Sequence, residues 1–378
     1  MNFEQHSPWY AVKGAEEIDS PALLVYPDRI AHNIREMLAI AGNPDRLRPH
    51  IKTHKMAEII RMQQKAGIRK FKCATLAEAE LLGQCEAEDV LVAYPLVGPG
   101  PGRLAHLQKK YPATRFSCLV DNLPALEALE KTVTAEGIRL GVFMDLNVGM
   151  NRTGIIPGPE AVALYRKMDT AESLDCRGFH AYDGHLRNPD PQIRAKDCDA
   201  AFKTVEALRE TLLAQSVSVP DIIAGGSPTF PIHARRPGVE LSPGTTLLWD
   251  ARYGEQFPEM PFLVAATVLC RVISKPASGI CCLDLGHKAV AAEMNFPRVL
   301  LPQLPESSQI SQSEEHLVLT ADPAELPPVG TVIYAIPMHI CPTVIKYPEA
   351  LIVIEGSVRG KWNIAARDYH LPLKGPVF

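Results

Sequence analysis

The sequence predicts an α/β protein, a (β/α)8 TIM-type barrel followed by a second, C-terminal all-β domain. Over residues 20–247, short β-rich segments alternate with amphipathic helical segments at intervals of roughly 25 residues. After residue 247, β-rich segments are separated by proline and glycine instead of helices. The 378 residues are 46% hydrophobic, which is enough for a sizeable core.

These patterns predict two domains. The barrel is assigned to residues 20–247, and the β-strand domain to residues 248–378, with residues 1–19 a candidate addition to the latter. An open, doubly wound sheet is the alternative architecture for the first domain.

The barrel half contains nine candidate strands, one more than an eight-stranded barrel needs. They are Ala22–Tyr26, Leu47–Lys52, Lys70–Ala74, Val90–Leu96, Arg115–Val120, Arg139–Leu146, Cys176–Ala181, Asp221–Ala224 and Val239–Leu241.

The helices between these strands are indicated by apolar residues at spacings of three and four. In the first helix, Asp28 is the predicted N-cap, and Ile30, Ile34 and Met37 share one face. Similar patterns occupy residues 76–82, 123–133, 160–168 and 200–213. The β-domain strands are predicted at Phe262–Ser274, Gly279–Asp284, Glu315–Leu319, Thr331–Ile336 and Ala350–Glu355.

Composition narrows the class of partner. A net charge of -4 and a pI near 6.3 provide no basic surface for nucleic acid. The longest apolar run, Pro261–Cys270, is too short to cross a membrane. No secretory signal is visible and the nine cysteines are irregularly spaced, so we expect a cytoplasmic protein with reduced thiols and a small-molecule partner.

The first chemical cluster is Arg48–Lys55, which contains two lysines and two histidines. Lys52 ends a predicted strand, so its amine would face the barrel mouth, where desolvation favours a nucleophilic amine. Lys55 is expected to face an anion or solvent. A solvated surface turn is the alternative for both lysines.

Two further clusters follow later strands of the predicted barrel. Gly225, Gly226 and Ser227 form a candidate anion cradle, which Gly244 and Thr245 would complete. Arg152, His180 and Tyr182 follow two other strands and are candidates to meet a planar ligand. The alternatives are an ordinary glycine turn, an Arg152–Asp145 ion pair and a structural core histidine.

The β domain contains His339-Ile340-Cys341. If this segment is a strand, His339 and Cys341 face the same side and offer nitrogen and sulfur to one metal ion. This ligand pair favours zinc over magnesium. The alternative is a buried cysteine beside a histidine.

Taken together, the motifs resemble the D-threonine aldolase and D-serine dehydratase group of pyridoxal 5′-phosphate enzymes, which share the fold-type III barrel of alanine racemase. The matching segments occur in the family's order and are Pro49–Lys55, Gly149–Gly154, Gly225–Ser227, Pro243–Thr245 and His339–Thr343.

The resemblance implies a role for each candidate residue. Lys52 would form a Schiff base with the cofactor, Arg152 would lie near the ring oxygen and His180 against the ring face. Tyr182 would lie near the pyridine nitrogen. The phosphate would be held by Gly225, Gly226, Ser227, Gly244 and Thr245.

The resemblance also implies that His339 and Cys341 bind a divalent metal at the substrate hydroxyl. Zinc is favoured, with manganese, magnesium and cobalt as alternatives. His54 is the predicted proton carrier.

Because His-x-Cys is similar to the dehydratase branch, the sequence favours a dehydratase of D-serine or D-3-hydroxyaspartate, which would release water and then ammonia. The alternatives are a D-threonine or D-3-hydroxyaspartate aldolase, a racemase, and a non-catalytic protein that carries the cofactor. A homodimer acting on a D-amino acid is expected. The sequence does not decide the side chain of the substrate.

Overall fold

Two β-sheets organise residues 8–369, the part of the chain that the computed structural model describes. The sixteen strands of this part, numbered in chain order, are β1 (Ala22–Val25), β2 (Lys70–Cys73), β3 (Asp89–Pro95), β4 (Arg115–Val120), β5 (Leu140–Asp145), β6 (Leu174–Ala181), β7 (Asp221–Ala224), β8 (Val239–Leu241), β9 (Ala266–Ala277), β10 (Ile280–Leu283), β11 (Val299–Leu300), β12 (Ser308–Gln312), β13 (Leu317–Thr320), β14 (Val332–Pro337), β15 (Glu349–Ile354) and β16 (Ser357–Asn363).

The α-helices of the same part are α1 (Pro27–Ala41), α2 (Ala57–Lys65), α3 (Leu76–Gln84), α4 (Gly100–Lys110), α5 (Leu123–Ala135), α6 (Pro159–Asp169), α7 (Pro191–Ala214), α8 (Phe230–His233), α9 (Ala251–Gln256) and α10 (Ile340–Val344). Side-chain oxygens cap several of them: Asn122 accepts a hydrogen bond from the backbone of α5, and Asp190 does so for α7. Asp28 lies inside the first turn of α1, so the N-cap predicted there is wrong. Across residues 8–369, no helix is both long enough and apolar enough to span a membrane.

The first sheet is the barrel. Strands β2 to β8 lie side by side in sequence order, and every neighbouring pair is parallel. Residues 47–50 occupy the remaining strand position, because Leu47 bridges Leu241 of β8 and His50 bridges Lys72 of β2. The ring therefore has eight strand positions, and its helices follow the strands as a parallel barrel requires. The predicted barrel architecture is confirmed.

The strand predicted at Leu47–Lys52 ends earlier than expected. Pro49 has no N–H to donate to a sheet, and His50 caps a 3-10 helix, Ile51–Thr53, by accepting a hydrogen bond from the backbone N–H of Lys52. Lys52 therefore lies on a helical turn that begins directly after the strand position.

The surplus candidate strand, Ala22–Tyr26, belongs to the other sheet, where it is β1. β1 pairs antiparallel with β9 and parallel with β15. Its side chains join a core cluster that includes Tyr10, Leu24, Leu269 and Tyr334. Most of this sheet is antiparallel and comes from the C-terminal part of the chain, as predicted for an all-β region.

The described chain divides into two compact units, Met37–Gly244 with residues 368–369, and residues 8–36 with Thr245–Arg367. The domain ranges 20–247 and 248–378 stay a prediction. Residues 1–7 and 370–378 of the predicted ranges lie outside the described residues.

Candidate active site

Three cationic groups surround the ring of Tyr182 in the barrel unit. Nζ of Lys52 lies 6.0 Å from the ring centroid, Nζ of Lys72 lies 5.4 Å from it, and Cζ of Arg152 lies 5.1 Å from it. Of the predicted residues, the structure thus brings Lys52, Arg152 and Tyr182 together. Lys72, on β2, was not predicted from the sequence. The sequence signal that could have indicated Lys72 is its position inside the predicted strand Lys70–Ala74, two residues before the end of that strand.

His180 extends this cluster. Its Nδ1–H donates to Oδ1 of Asp145 over 2.7 Å, and its Nε2 lies 3.4 Å from Nζ of Lys72. Thr153 donates to the other oxygen of Asp145 over 2.8 Å. Burial opposes charge on Asp145, but His180, Thr153 and the charge of Lys72 together outweigh it and lower the carboxyl pKa. Asp145 therefore pairs with His180 and not with Arg152.

The lysines of the 48–55 segment have different surroundings. Lys52 is partly exposed, and no ion pair reaches its Nζ from the described residues. Lys55 is buried and forms an ion pair with Glu78, whose second oxygen accepts the backbone N–H of Ala74. The backbone of Lys55 has a φ of 55°, in the left-handed region, which strains the turn. The ion pair with Glu78 stabilises this conformation.

His54 is fully buried. Its Nδ1 accepts the backbone N–H of Met56 over 3.2 Å, and its Nε2 has no hydrogen-bond partner among the described residues. Burial lowers the pKa of His54 to about 3, so the imidazole is neutral at neutral pH. Its role as a proton carrier stays a prediction.

The glycine segment after β7 packs closely against the ring cluster. A side chain at Gly226 would place Cβ 3.1 Å from Cε2 of Tyr182, and one at Gly225, where φ is +84°, would place it 2.9 Å from Cδ2 of His233. The left-handed backbone and the short contact favour glycine at position 225, whereas a side chain at position 226 would require Tyr182 to shift by a few tenths of an ångström. The backbone N–H of Gly244 donates to Oγ of Ser227 over 3.2 Å, which joins two of the predicted cradle segments.

A buried hydrogen-bond network supports that segment. Asp183 accepts hydrogen bonds from Thr229 over 2.7 Å and from Nε2 of His233 over 2.8 Å, and Thr229 accepts the backbone N–H of Gly226. Cys198 Sγ lies 3.3 Å from the same His233 nitrogen. Asp183 thereby links the end of β6 to the glycine segment.

The ligand atoms of Asp183, Cys198 and His233 lie within 4.8 Å of one another, close enough to hold a metal ion. However, Nη1 of Arg236 donates to Nδ1 of His233 over 2.9 Å, so Nε2 carries the imidazole proton. Burial also raises the pKa of the Cys198 thiol to about 12. Both features favour the hydrogen-bonded network over a metal site.

The predicted metal pair lies in the other unit. His339 is the N-cap residue of α10 and Cys341 lies in its first turn, so the strand predicted for this segment is wrong. The two side chains still interact, and Glu293 forms a hydrogen bond with Nδ1 of His339. Burial alone would lower the pKa of His339, but Cys341 and Glu293 raise it to about 9.

Two other oxygen-bearing residues of this unit lie near the pair. Oγ1 of Thr245, which was predicted for the phosphate cradle, is 3.8 Å from Sγ of Cys341. Asp250 accepts the backbone N–H of Ile340 over 3.2 Å. Burial raises the pKa of Asp250 to about 6.

Family comparison decides the class of this barrel. Residues 25–250 match the model of the alanine racemase N-terminal domain. The chain belongs to the alanine racemase N-terminal domain family. Residues 265–353 match a second model, the serine dehydratase domain. The pairing of this alanine racemase-type barrel with the second domain identifies the chain as a pyridoxal-phosphate-dependent lyase.

Lyases named for D-β-hydroxy amino acids resemble more than nine-tenths of the chain. D-threonine aldolase from an Arthrobacter species is 28% identical over 93% of both chains. The crystal structure of D-threonine aldolase from Filomicrobium marinum has a TM-score of 0.85 and 27% identity, and covers 94% of this chain and 98% of that one. A cysteine-to-alanine variant of D-threo-3-hydroxyaspartate dehydratase, in a metal-free form, has a TM-score of 0.79 and 25% identity, with coverages of 93% and 98%.

The barrel residues fit the cofactor of this family. Pyridoxal 5′-phosphate is an anion, and the cations around Tyr182 outnumber the acids, since the nearby Asp145 is already engaged by His180 and Thr153. The N–H groups of Gly225 and Gly226 donate to Ala181 and Thr229, so the phosphate contact predicted for this segment stays a prediction.

Proposed function

We propose that this chain is a metal-dependent aldolase of D-β-hydroxy amino acids, which cleaves the bond between the α- and β-carbons to give glycine and an aldehyde. The sequence alone favoured the dehydratase and kept the aldolase as its alternative. The observation that carries the revision is the match to D-threonine aldolases, which spans 93% of both chains in one case and has a TM-score of 0.85 in the other.

Lys52 is proposed as the cofactor lysine. Its Nζ has no carboxylate partner in the described residues, unlike that of Lys55, so it is the amine of the segment that can form a bond. When bound, pyridoxal 5′-phosphate supplies a conjugated ring that withdraws electrons from the bonds of the substrate α-carbon.

The other barrel residues are proposed to bind and orient. Arg152 supplies a positive charge near the ring of Tyr182, where it can pair with an oxyanion. His180, fixed by Asp145, presents Nε2 toward the cation cluster. The backbone at Gly225 and Gly226, with Ser227 and Gly244, is proposed to hold the phosphate, and Thr245 stays a candidate for it.

His339 and Cys341 are proposed to bind a divalent metal ion, with zinc favoured by the nitrogen and sulfur ligands. Glu293 engages Nδ1 of His339, which orients the imidazole and leaves Nε2 as the metal ligand. A metal ion at the substrate hydroxyl would act as a Lewis acid and favour loss of its proton. The substrate is proposed to be a D-amino acid and the assembly a homodimer.

Dehydration is the second candidate reaction. Its support is Cys341, because the compared dehydratase has a cysteine-to-alanine variant in a metal-free form, and this chain has a cysteine in its own proposed metal pair. In that reaction, the α-proton and the hydroxyl group would leave, and no carbon–carbon bond would break.

Incubation of the metal-loaded holoenzyme with D-threonine and, separately, with D-serine tests the proposal. The aldolase releases glycine and acetaldehyde from D-threonine. Release of ammonia with 2-oxobutyrate, or with pyruvate from D-serine, in place of glycine would establish the dehydratase. L-threonine is the control and should remain unchanged.

A further inference from the structure

His50 is a buried histidine between a strand position of the barrel and the turn that carries Lys52. Its backbone is held on both sides, because its N–H donates to the carbonyl oxygen of Pro243 over 2.8 Å and it bridges Lys72 of β2. The imidazole therefore extends from a fixed part of the barrel.

This imidazole bonds directly to the backbone of Lys52. Nδ1 of His50 accepts the backbone N–H of Lys52 over 3.1 Å. The N–H belongs to the first residues of the single-turn helix Ile51–Thr53, and the first N–H groups of a helix have no partner within it. In so short a helix, the bond to His50 is one of the few that fix the backbone of Lys52.

The imidazole of His50 remains neutral, which keeps Nδ1 an acceptor. Burial, followed by the positive charges of Lys52, Lys72 and Lys55, lowers the pKa of His50 well below the usual range of histidine. A protonated imidazole has hydrogens on both nitrogens and cannot accept an N–H. The bond to Lys52 therefore persists throughout the neutral pH range.

The side chain of Lys52 is anchored at its backbone end. No carboxylate in residues 8–369 forms an ion pair with its Nζ, which lies 6.0 Å from the centroid of the Tyr182 ring. A lysine amine is carried on a long, flexible stem, so its reach depends on the direction in which the side chain leaves the backbone. Since reacting atoms must be held about 3–3.5 Å apart and aligned, a shift of this turn would slow a reaction of the amine.

His50 also connects Lys52 to the segment that is predicted to hold the phosphate. Pro243 accepts the backbone N–H of His50, and the next residue, Gly244, donates its N–H to Oγ of Ser227 over 3.2 Å. A Cβ at Gly244 would lie 3.4 Å from Cβ of His50, so the two segments are in direct contact. The aldehyde and the phosphate of the cofactor are attached to one rigid ring, so the amine and the phosphate segment must keep a fixed separation.

We propose that His50 is a positioning residue, whose Nδ1 holds the turn of Lys52 so that the Lys52 amine reaches the aldehyde carbon of the cofactor. This inference rests on the proposed role of Lys52 as the cofactor lysine. In that step the nitrogen of Lys52 bonds to the aldehyde carbon, and the aldehyde oxygen leaves as water with two hydrogens from the nitrogen. His50 acts through the backbone of Lys52 and exchanges no proton in this step.

Two substitutions separate the hydrogen bond of His50 from its packing. His50→Leu fills much of the same space but has no acceptor, whereas His50→Asn is smaller and keeps an oxygen for the N–H two residues ahead. Asn43 makes that bond in this chain, because its side-chain oxygen accepts the N–H of Asp45 over 2.9 Å and caps the 3-10 helix Pro44–Arg46. If the hydrogen bond matters, His50→Asn is the milder change; if packing matters, His50→Leu is.

The test is the rate at which the folded, full-length apoprotein gains the visible absorbance band after it is mixed with pyridoxal 5′-phosphate. His50→Leu should slow this rate at least about tenfold, because small displacements of reacting atoms have effects of this size. His50→Asn should restore most of the wild-type rate. The dissociation constant of 4′-deoxypyridoxine 5′-phosphate, which has the phosphate but no aldehyde, should be the same in all three proteins.

Asn43→Ala is the matched control, because it removes the same kind of cap from a helix that carries no proposed cofactor residue. It should keep the wild-type rate. A wild-type rate in His50→Leu, or an equal defect in His50→Leu and His50→Asn, would overturn the proposal. A parallel loss of affinity for the analogue would also overturn it, since the whole site would then be disturbed. Failure of the proposed cofactor role is distinguishable, because Lys52→Ala would then still gain the cofactor band.

Discussion

Nζ of Lys72 lies 3.4 Å from Nε2 of His180, and this imidazole, not a carboxylate, is the hydrogen-bond partner of a buried amine. The unfolded chain binds a proton at this lysine up to its ordinary pKa, whereas burial lowers the pKa in the fold to about 7. Between these two values the unfolded state binds more protons, so the stability of the fold increases as the pH rises.

Lys72→Met should therefore stabilise the apoprotein at pH 6 and lose this advantage near pH 10. An increase in melting temperature of at least about 2–4 °C at pH 6 corresponds to about 1 kcal/mol in a domain of this size. Thermal melts of the variant and of Lys70→Met at both pH values check this. A variant equally destabilised at both would contradict the account of a costly buried charge.

Lys52 and Lys55 are three residues apart but should respond differently to substitution. Lys52→Ala removes the proposed bond to the cofactor and should abolish the visible absorbance band of the holoenzyme with little change in stability. Lys55→Ala should keep the band. It leaves Glu78 buried without its partner, which costs about 3–5 kcal/mol in the free energy of unfolding.

The intensity of the cofactor absorbance band after each variant is reconstituted with pyridoxal 5′-phosphate, together with the free energy of unfolding in urea, distinguishes the roles of Lys52 and Lys55. Lys55→Met combined with Glu78→Gln removes both charges and should recover part of the lost stability. If folded Lys55→Ala lost the cofactor band and Lys52→Ala kept it, Lys55 and not Lys52 would be the cofactor lysine.

Cys341 and Cys198 distinguish the two places where a metal could bind. Cys341→Ala removes one proposed ligand and should lower the metal content and the aldolase activity, typically by tenfold or more, while the cofactor band remains. Cys198→Ala should leave the metal content of the protein unchanged. The proton on Nε2 of His233, and the hydrogen bond that Arg236 donates to Nδ1 of His233, oppose metal binding beside Cys198.

Elemental analysis of the dialysed variants, with activity before and after EDTA, measures this. Metal loss in Cys198→Ala but not in Cys341→Ala would move the site to the barrel. Full activity after chelation would support a racemase, which needs no metal.

The barrel was predictable because its helices and strands have different periodicities. Strands β2 to β8 agree with seven of the nine predicted segments to within a few residues. The surplus segment, β1, is apolar like its neighbours, and nothing local indicates that it pairs with β9 and β15. Pairing partners are set by long-range packing, which composition does not encode.

The site was only partly predictable for the same reason. Lys52, Arg152, His180 and Tyr182 follow strand ends, where barrels place ligand-binding residues. Lys72 lies within a strand and resembles an ordinary strand lysine until the barrel closes. His339 and Cys341 were paired by a strand periodicity, whereas the segment is the start of α10.

The central claim is that the chain breaks the bond between the α- and β-carbons of a D-β-hydroxy amino acid. Uniformly ¹³C-labelled D-threonine, incubated with the metal-loaded holoenzyme and followed by ¹³C NMR, reports on this bond directly. The account predicts that the coupling between these carbons disappears as labelled glycine and acetaldehyde form in equal amounts. A product that keeps all four carbons joined, as in 2-oxobutyrate, would contradict it.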